Sequence, residues 1–156
     1  MIGDKRPTIV VLGGINMDLI GVTSRLPFPG ETMIGEDFYT ARGGKGGNQA
    51  VGTSRMGAIT KMIGRVGKDM FGPGLLDGLS QYGVDVSGVS EDPDASSGIA
   101  VILLDSTRQN HIVQILGANM RCDHSQVEAA TLALKGADAL MLQLESPSDT
   151  SQQTAR

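Results

Sequence analysis

Three polar clusters in this chain combine residue types and spacings that could do chemistry. Asn16-Met17-Asp18 sets an amide and a carboxylate two residues apart, and in an extended chain residues two apart face the same side. An amide both donates and accepts, and a carboxylate accepts twice, so the pair suits vicinal hydroxyls. The alternative is a capping or turn role for both. The second cluster is Gly43-Gly44-Lys45-Gly46-Gly47-Asn48. Its glycines let a ligand approach the backbone closely, and the helix start behind them offers free N–H groups. Lys45 adds a point charge. It is not a Walker phosphate loop, because Gly46 follows Lys45 where Ser or Thr is required and the upstream spacing differs; no G-x-G-x-x-G occurs in the chain. The alternative is a flexible linker, which the helical pattern immediately behind argues against. The third is Glu145, after Met141-Leu142-Gln143-Leu144. Taken alone it reads as a solvated carboxylate at a strand end, with Gln143 on the same side. His111 and His124 have no metal-ligand spacing, and Cys122 has no His partner.

These clusters follow apolar runs that read as strands. Thr8 to Leu12 is a β-branched run of the kind buried on both faces in a parallel sheet. Residues 18–25 and 31–40 are weaker extended segments separated by Leu26-Pro27-Phe28-Pro29-Gly30, where two prolines forbid a helix; together they suggest a hairpin or flap. A helix is expected over residues 48–56 with Gly57 as C-cap, a strand over 59–63, and a helix over 71–82 with Asp69 near its N-cap and Gly83 as its stop. Residues 84–89, 98–105 and 111–116 read as strands, the last two joined by a polar turn. Asp123 caps a helix through Lys135, residues 138–144 form another buried strand, and Pro147 opens a last helix. Helices alternating with buried strands give an α/β class with a mainly parallel sheet. In such sheets ligands bind at the carboxyl ends of the strands, so the three clusters are expected to share one crevice.

The 156 residues suit one domain or one large fragment, and 40% apolar content supports a real core. A net charge of −4 argues against a nucleic-acid partner, which needs a basic stripe. No apolar run approaches a membrane span, and Met1 to Arg6 show no signal-peptide pattern. One cysteine leaves no internal disulfide, so a reducing, cytoplasmic setting is expected.

Gly43-Gly44-Lys45-Gly46-Gly47-Asn48-Gln49-Ala50-Val51 resembles the glycine-rich signature of ribokinases, in the PfkB family of carbohydrate kinases; Gly47 stands where Ala is usual. The resemblance extends in family order through Gly14-Ile15-Asn16-Met17-Asp18, Pro29-Gly30-Glu31-Thr32, Gly64-Arg65-Val66-Gly67-Lys68-Asp69, Gly117-Ala118-Asn119 and Gln143-Leu144-Glu145. Lys45 and the Gln-Leu-Glu block favour the ribokinase branch over fructokinase or adenosine kinase relatives. The resemblance implies a central α/β domain with a small β-sheet lid to which residues 18–40 contribute, and a homodimer through paired lids. It implies that Asn16, Met17 and Asp18, the run Gly44, Lys45, Gly46, Gly47 and Asn48, and Glu145 form the binding site for D-ribose or a similar sugar. It also implies transfer of the γ-phosphoryl of ATP to the sugar's primary hydroxyl, with Mg²⁺ and a monovalent cation, K⁺.

The family's second half carries a Gly-Ala-Gly-Asp signature that supplies the general base and the anion hole. No such run occurs here; Gly136-Ala137-Asp138 lacks the second glycine. The chain is therefore expected to be the sugar-binding, N-terminal half of such a kinase, with no catalytic base or metal site of its own, and inactive alone. The alternatives are a non-catalytic sugar-binding or dimerisation module and a PfkB kinase for another sugar or nucleoside.

Overall fold

The computed structural model describes residues 6–156; Met1 to Lys5, including most of the stretch read above as lacking a leader pattern, lie outside the described residues. The elements in chain order are β1 (Thr8–Leu12), β2 (Asn16–Val22), β3 (Asp37–Gly43), α1 (Lys45–Arg55), β4 (Ile59–Gly67), α2 (Gly72–Gln81), β5 (Asp85–Asp92), β6 (Gly98–Leu104), β7 (Asn110–Ile115), α3 (His124–Ala133), β8 (Ala139–Leu142) and α4 (Ser148–Thr154). A 3₁₀ turn over Gly117–Arg121 follows β7. The main sheet has the order β5-β4-β1-β8, and each of its pairings is parallel. A second sheet has the order β3-β2-β6-β7. In it β2 runs antiparallel to β3 and parallel to β6, and β6 runs antiparallel to β7.

Strand β1 is the centre of the core. Val11 packs with Met62, Val66, Leu75 and Leu79 on the side of α1 and α2. Val10 and Leu12 alternate to the opposite side and meet Ile63 and Ala130 of α3. Burying a side chain of this size stabilises by roughly 1.5–3 kcal/mol, which explains why a strand apolar on both faces occupies the middle of a covered parallel sheet. The helix termini follow the expected signals. The Asp69 carboxylate accepts from the N–H groups of Phe71 and Gly72 at 3.0 Å each. Asp123 and Gln126 form a reciprocal capping box on α3. Gly57, Gly83 and Gly136 take positive φ where their helices stop.

Several elements depart from the sequence expectation: β4 runs on to Gly67 rather than ending at Ile63, and β5 to Asp92 rather than Val89. The extended segments pair as a hairpin but are displaced, to residues 16–22 and 37–43. The intervening proline-containing loop is held by Arg25 and Glu31, whose charged groups meet at 2.5 and 2.7 Å. Helix α1 begins three residues early, at Lys45. Glycines are poor helix formers, but the first turn has partners for its free donors: Lys45 N–H donates to Glu145 Oε2 at 2.8 Å and Gly47 N–H to the Gly14 carbonyl at 3.0 Å. Strand β8 ends at Leu142 rather than Leu144. The strands over 98–104 and 110–115, which the sequence leaves without a sheet, complete the second sheet beside β2.

Candidate functional site

The two sheets meet where the chain leaves β1 through Gly13-Gly14 and enters β2. Around that junction lies a cavity of about 190 Å³, to which Asn16, Asp18, Gly44, Lys45, Asn48 and Glu145 contribute. Asn16 and Asp18 reach it from one face of β2, as their spacing requires. Lys45 and Asn48 come from the first turn of α1, and Glu145 from the loop after β8. Ala100, Ile102, Ile112 and Gln114, from β6 and β7, complete the wall.

Close approach is what the glycines supply. A Cβ on Gly14 would lie 2.6 Å from Glu145 Oε2, and one on Gly43 would lie 2.5 Å from Asp18 Oδ2. Gly44 has φ +85°, and a Cβ there would lie 2.5 Å from the Gly14 carbonyl oxygen. The glycine run therefore brings backbone and carboxylates together in a conformation that other residues adopt only with strain.

The two carboxylates are held differently. Glu145 is buried and saturated with donors: the Lys45 ammonium, the Lys45 backbone N–H, Gln114 Nε2 at 2.9 Å and Asn16 Nδ2 at 3.5 Å. Burial pushes its pKa up more than any other single influence. The hydrogen bonds from Lys45 and Gln114 and the Lys45 charge together outweigh burial and hold it below the ordinary value of 4.5. Asp18 accepts no side-chain or backbone hydrogen bond among the described residues. Its pKa is raised above 3.8, first by burial and then by the charge of Glu145. The cavity thus holds one prepared carboxylate and one bare one, with an amide between them. That arrangement accepts hydrogen bonds from hydroxyl groups and can donate one N–H in return.

Of the residues singled out in the sequence, Met17, Gly46 and Gly47 lie off this cavity. Met17 alternates to the opposite face of β2 and packs in the core with Leu79 and Val66. Gly46 abuts the Gly13-Gly14 backbone and Met62. Gly47 lines a larger cavity of about 300 Å³ that shares Asn48 with the smaller one and is walled by Ile15, Arg42, Val51, Leu75, Leu79 and Tyr82. That larger cavity carries no carboxylate. Gln143 does not assist Glu145. The strand ends before it, so the alternation of sides no longer holds, and its Nε2 donates instead to Gln49 Oε1 at 2.5 Å. Gln114 was not among the sequence candidates. The signal for it was the alternation within β7, which becomes readable only once that strand is placed beside β6. Cys122 is buried, with its thiol pushed up to about 11 chiefly by burial, and is accordingly inert at neutral pH. His111 and His124 are partly or largely exposed beside Asp105 and Glu128.

A family model described as pfkB family carbohydrate kinase matches residues 6–156. Among curated proteins, the chain is 42% identical over 145 residues to a ribokinase of Schizosaccharomyces pombe, a match covering 89% of this chain and 46% of that protein. It is 34% identical over 142 residues to the ribokinase of Mus musculus, covering 91% of this chain and 44% of that protein. Among solved structures it is similar to Arabidopsis thaliana ribokinase complexed with ribose and ATP, with a TM-score of 0.83 at 32% identity over 97% of this chain and 49% of that one. The chain spans about half the length of the curated relatives it matches.

Proposed function

The chain belongs to the pfkB family of carbohydrate kinases, and from that premise we propose that it supplies the sugar-binding half of a kinase that phosphorylates D-ribose to ribose 5-phosphate at the expense of ATP. The observation that carries this reading is the bare Asp18 carboxylate facing a cavity beside the donor-saturated Glu145 and the Asn16 amide. In this reading Asp18 accepts from two sugar hydroxyls, Asn16 donates to a hydroxyl oxygen, and Glu145 accepts from a further hydroxyl in place of one of its present donors. Ala100, Ile102 and Ile112 cover the sugar's apolar edges, while Gly44, Lys45 and Asn48 close the pocket. The Arabidopsis protein named for its complex with ribose and ATP supports the choice of both ligands.

Phosphoryl transfer depends on positioning and charge stabilisation, and this chain positions the acceptor. ATP would supply the phosphoryl group, with Mg²⁺ and K⁺ neutralising and ordering it. Among the described residues no group of three or more His, Cys, Asp or Glu is arranged to hold a metal. The metal ligands, the nucleotide bed and the general base are assigned to the second half that the family provides. In the second sheet Phe38, Val101, Val113 and Ile115 are exposed and alternate away from the face of Asp18, which supports a homodimer through this sheet. The lone buried cysteine supports a cytoplasmic setting, and no helix among the described residues is long and apolar enough to cross a membrane.

The test is a coupled assay of the intact protein with ATP, Mg²⁺ and K⁺ against a panel of sugars and nucleosides. Ribose is expected to give the highest kcat/KM; a clear preference for fructose or adenosine would overturn the substrate. The 156-residue chain alone is expected to show no turnover, since loss of a general base alone costs about 10²–10⁴-fold.

A further inference from the structure

We propose that Asn119 is a positioning residue that fixes which end of the Asn16 amide faces the sugar cavity. Asn119 lies in the 3₁₀ turn after β7 and is fully buried. It is anchored at both ends by the backbone of Ile15. Its Oδ1 accepts from the Ile15 N–H at 3.0 Å, and its Nδ2 donates to the Ile15 carbonyl at 3.2 Å. A backbone N–H can only donate and a carbonyl can only accept, so the orientation of the Asn119 amide is dictated by the main chain.

The remaining N–H of Asn119 Nδ2 donates to Asn16 Oδ1 at 2.7 Å. Asn16 must therefore turn its oxygen inward to Asn119 and its NH₂ outward, where Nδ2 stands 3.5 Å from Glu145 Oε2. The reverse orientation would oppose N–H to N–H at one end and oxygen to carboxylate at the other, leaving buried polar groups unpaired. A second feature is built around the same contact. A Cβ on Gly98 would fall on Asn16 Oδ1 and Asn119 Nδ2, so only glycine at this start of β6 leaves room for the bond. The chain Ile15 backbone, Asn119, Asn16 thus makes Asn16 an obligate donor in a cavity whose carboxylates only accept. A ligand oxygen placed against Asn16 must accept a hydrogen bond, and a hydroxyl that also donates to a neighbouring carboxylate meets both demands.

This inference rests on the sugar-binding reading, and its test separates the two. Ribose affinity is measured by calorimetry on the intact protein for wild type, Asn16→Ala, Asn119→Ala and the double variant. Asn119→Ala frees the Asn16 amide to rotate and is expected to weaken ribose binding about three- to tenfold. In the Asn16→Ala background the same change is expected to alter affinity by less than about twofold, while still lowering the melting temperature. A merely structural role predicts an equal loss of affinity in both backgrounds, and that result overturns the proposal. If wild type does not bind ribose, the sugar-binding reading fails on its own account. The orientation is then read by neutron diffraction of the deuterated protein, which is also the recourse if Asn119→Ala does not fold. Deuterons on the Asn16 atom facing Glu145 support the inference; deuterons on the atom facing Asn119 overturn it.

Discussion

The two sheets draw on the same apolar residue types but differ in what covers them. Val10, Val11 and Leu12 of β1 have no exposure at all, enclosed by helices on both sides, whereas every residue of β7 is exposed. The site sits on the seam between them, and its carboxylates inherit the contrast. Glu145, from the covered sheet's carboxyl end, arrives already hydrogen-bonded; Asp18, from the uncovered sheet, arrives without a partner. The main sheet therefore holds the fold and presents a fixed acceptor. The second sheet sends Met17 into the core from β2 but leaves β7 uncovered, and it brings the Asp18 carboxylate without a partner.

The largest expected effect tests that division directly. Met62→Ala, in the core between β4 and the α1–α2 side, should destabilise by about 2–5 kcal/mol. Asn110→Ala, exposed on β7 and on the face opposite Val113, should stay within about 0.5 kcal/mol. Thermal unfolding of both variants of the intact protein checks the pair, and equal losses would erase the distinction between the sheets.

A second effect concerns pH and the bare carboxylate. On acidification Asp18 takes up its proton at a higher pH than an ordinary aspartate, because burial first and the Glu145 charge second raise its pKa above 3.8. Ribose affinity should fall as pH drops through the raised Asp18 value, by up to the roughly 1.5–3 kcal/mol of a charge-assisted contact. Without sugar the sign reverses for stability. The folded state binds this proton more tightly than the unfolded chain, so the contribution of Asp18 to stability declines as pH rises from 3.8 through the raised value. Calorimetry from neutral to acid pH should show the affinity limb in wild type and none in Asp18→Asn.

The smallest effect is expected at Lys45. Its ammonium pairs with buried Glu145, but its own side chain is 64% exposed, and exposed partners contribute about 0–1 kcal/mol. Lys45→Ala keeps the backbone N–H that caps onto Glu145, so ribose affinity by calorimetry should fall by less than about 1 kcal/mol. Gly44→Val, which puts a side chain at φ +85° against the Gly14 carbonyl, should do more damage.

Much of this was legible in the residues because local rules agreed with the final packing. The β1 run, the Asp69 and Asp123 caps and the positive-φ stops at Gly57 and Gly83 each follow from one residue type at one position. The pairing of Asn16 with Asp18 followed from strand alternation. What stayed hidden depended on contacts distant in sequence. That α1 starts at Lys45 follows from a carboxylate 100 residues away. That β6 and β7 join the second sheet, and so place Gln114 in the cavity, follows from a parallel pairing with β2 that no local pattern announces. Met17 and Gln143 were misplaced for a related reason, since a run of neighbouring residues does not share a face and alternation stops where the strand does.

The central claim is that the cavity between the two sheets binds a sugar through Asp18. Titration of ribose into the intact protein and its Asp18→Ala variant, followed by calorimetry, tests it most directly. The account predicts measurable binding to wild type and a loss of about 1.5–3 kcal/mol in the variant, roughly ten- to a hundredfold in Kd, with little change in melting temperature. If Asp18→Ala binds ribose like wild type while Lys45→Ala abolishes binding, the assignment is contradicted, and the glycine run must instead hold an anionic ligand.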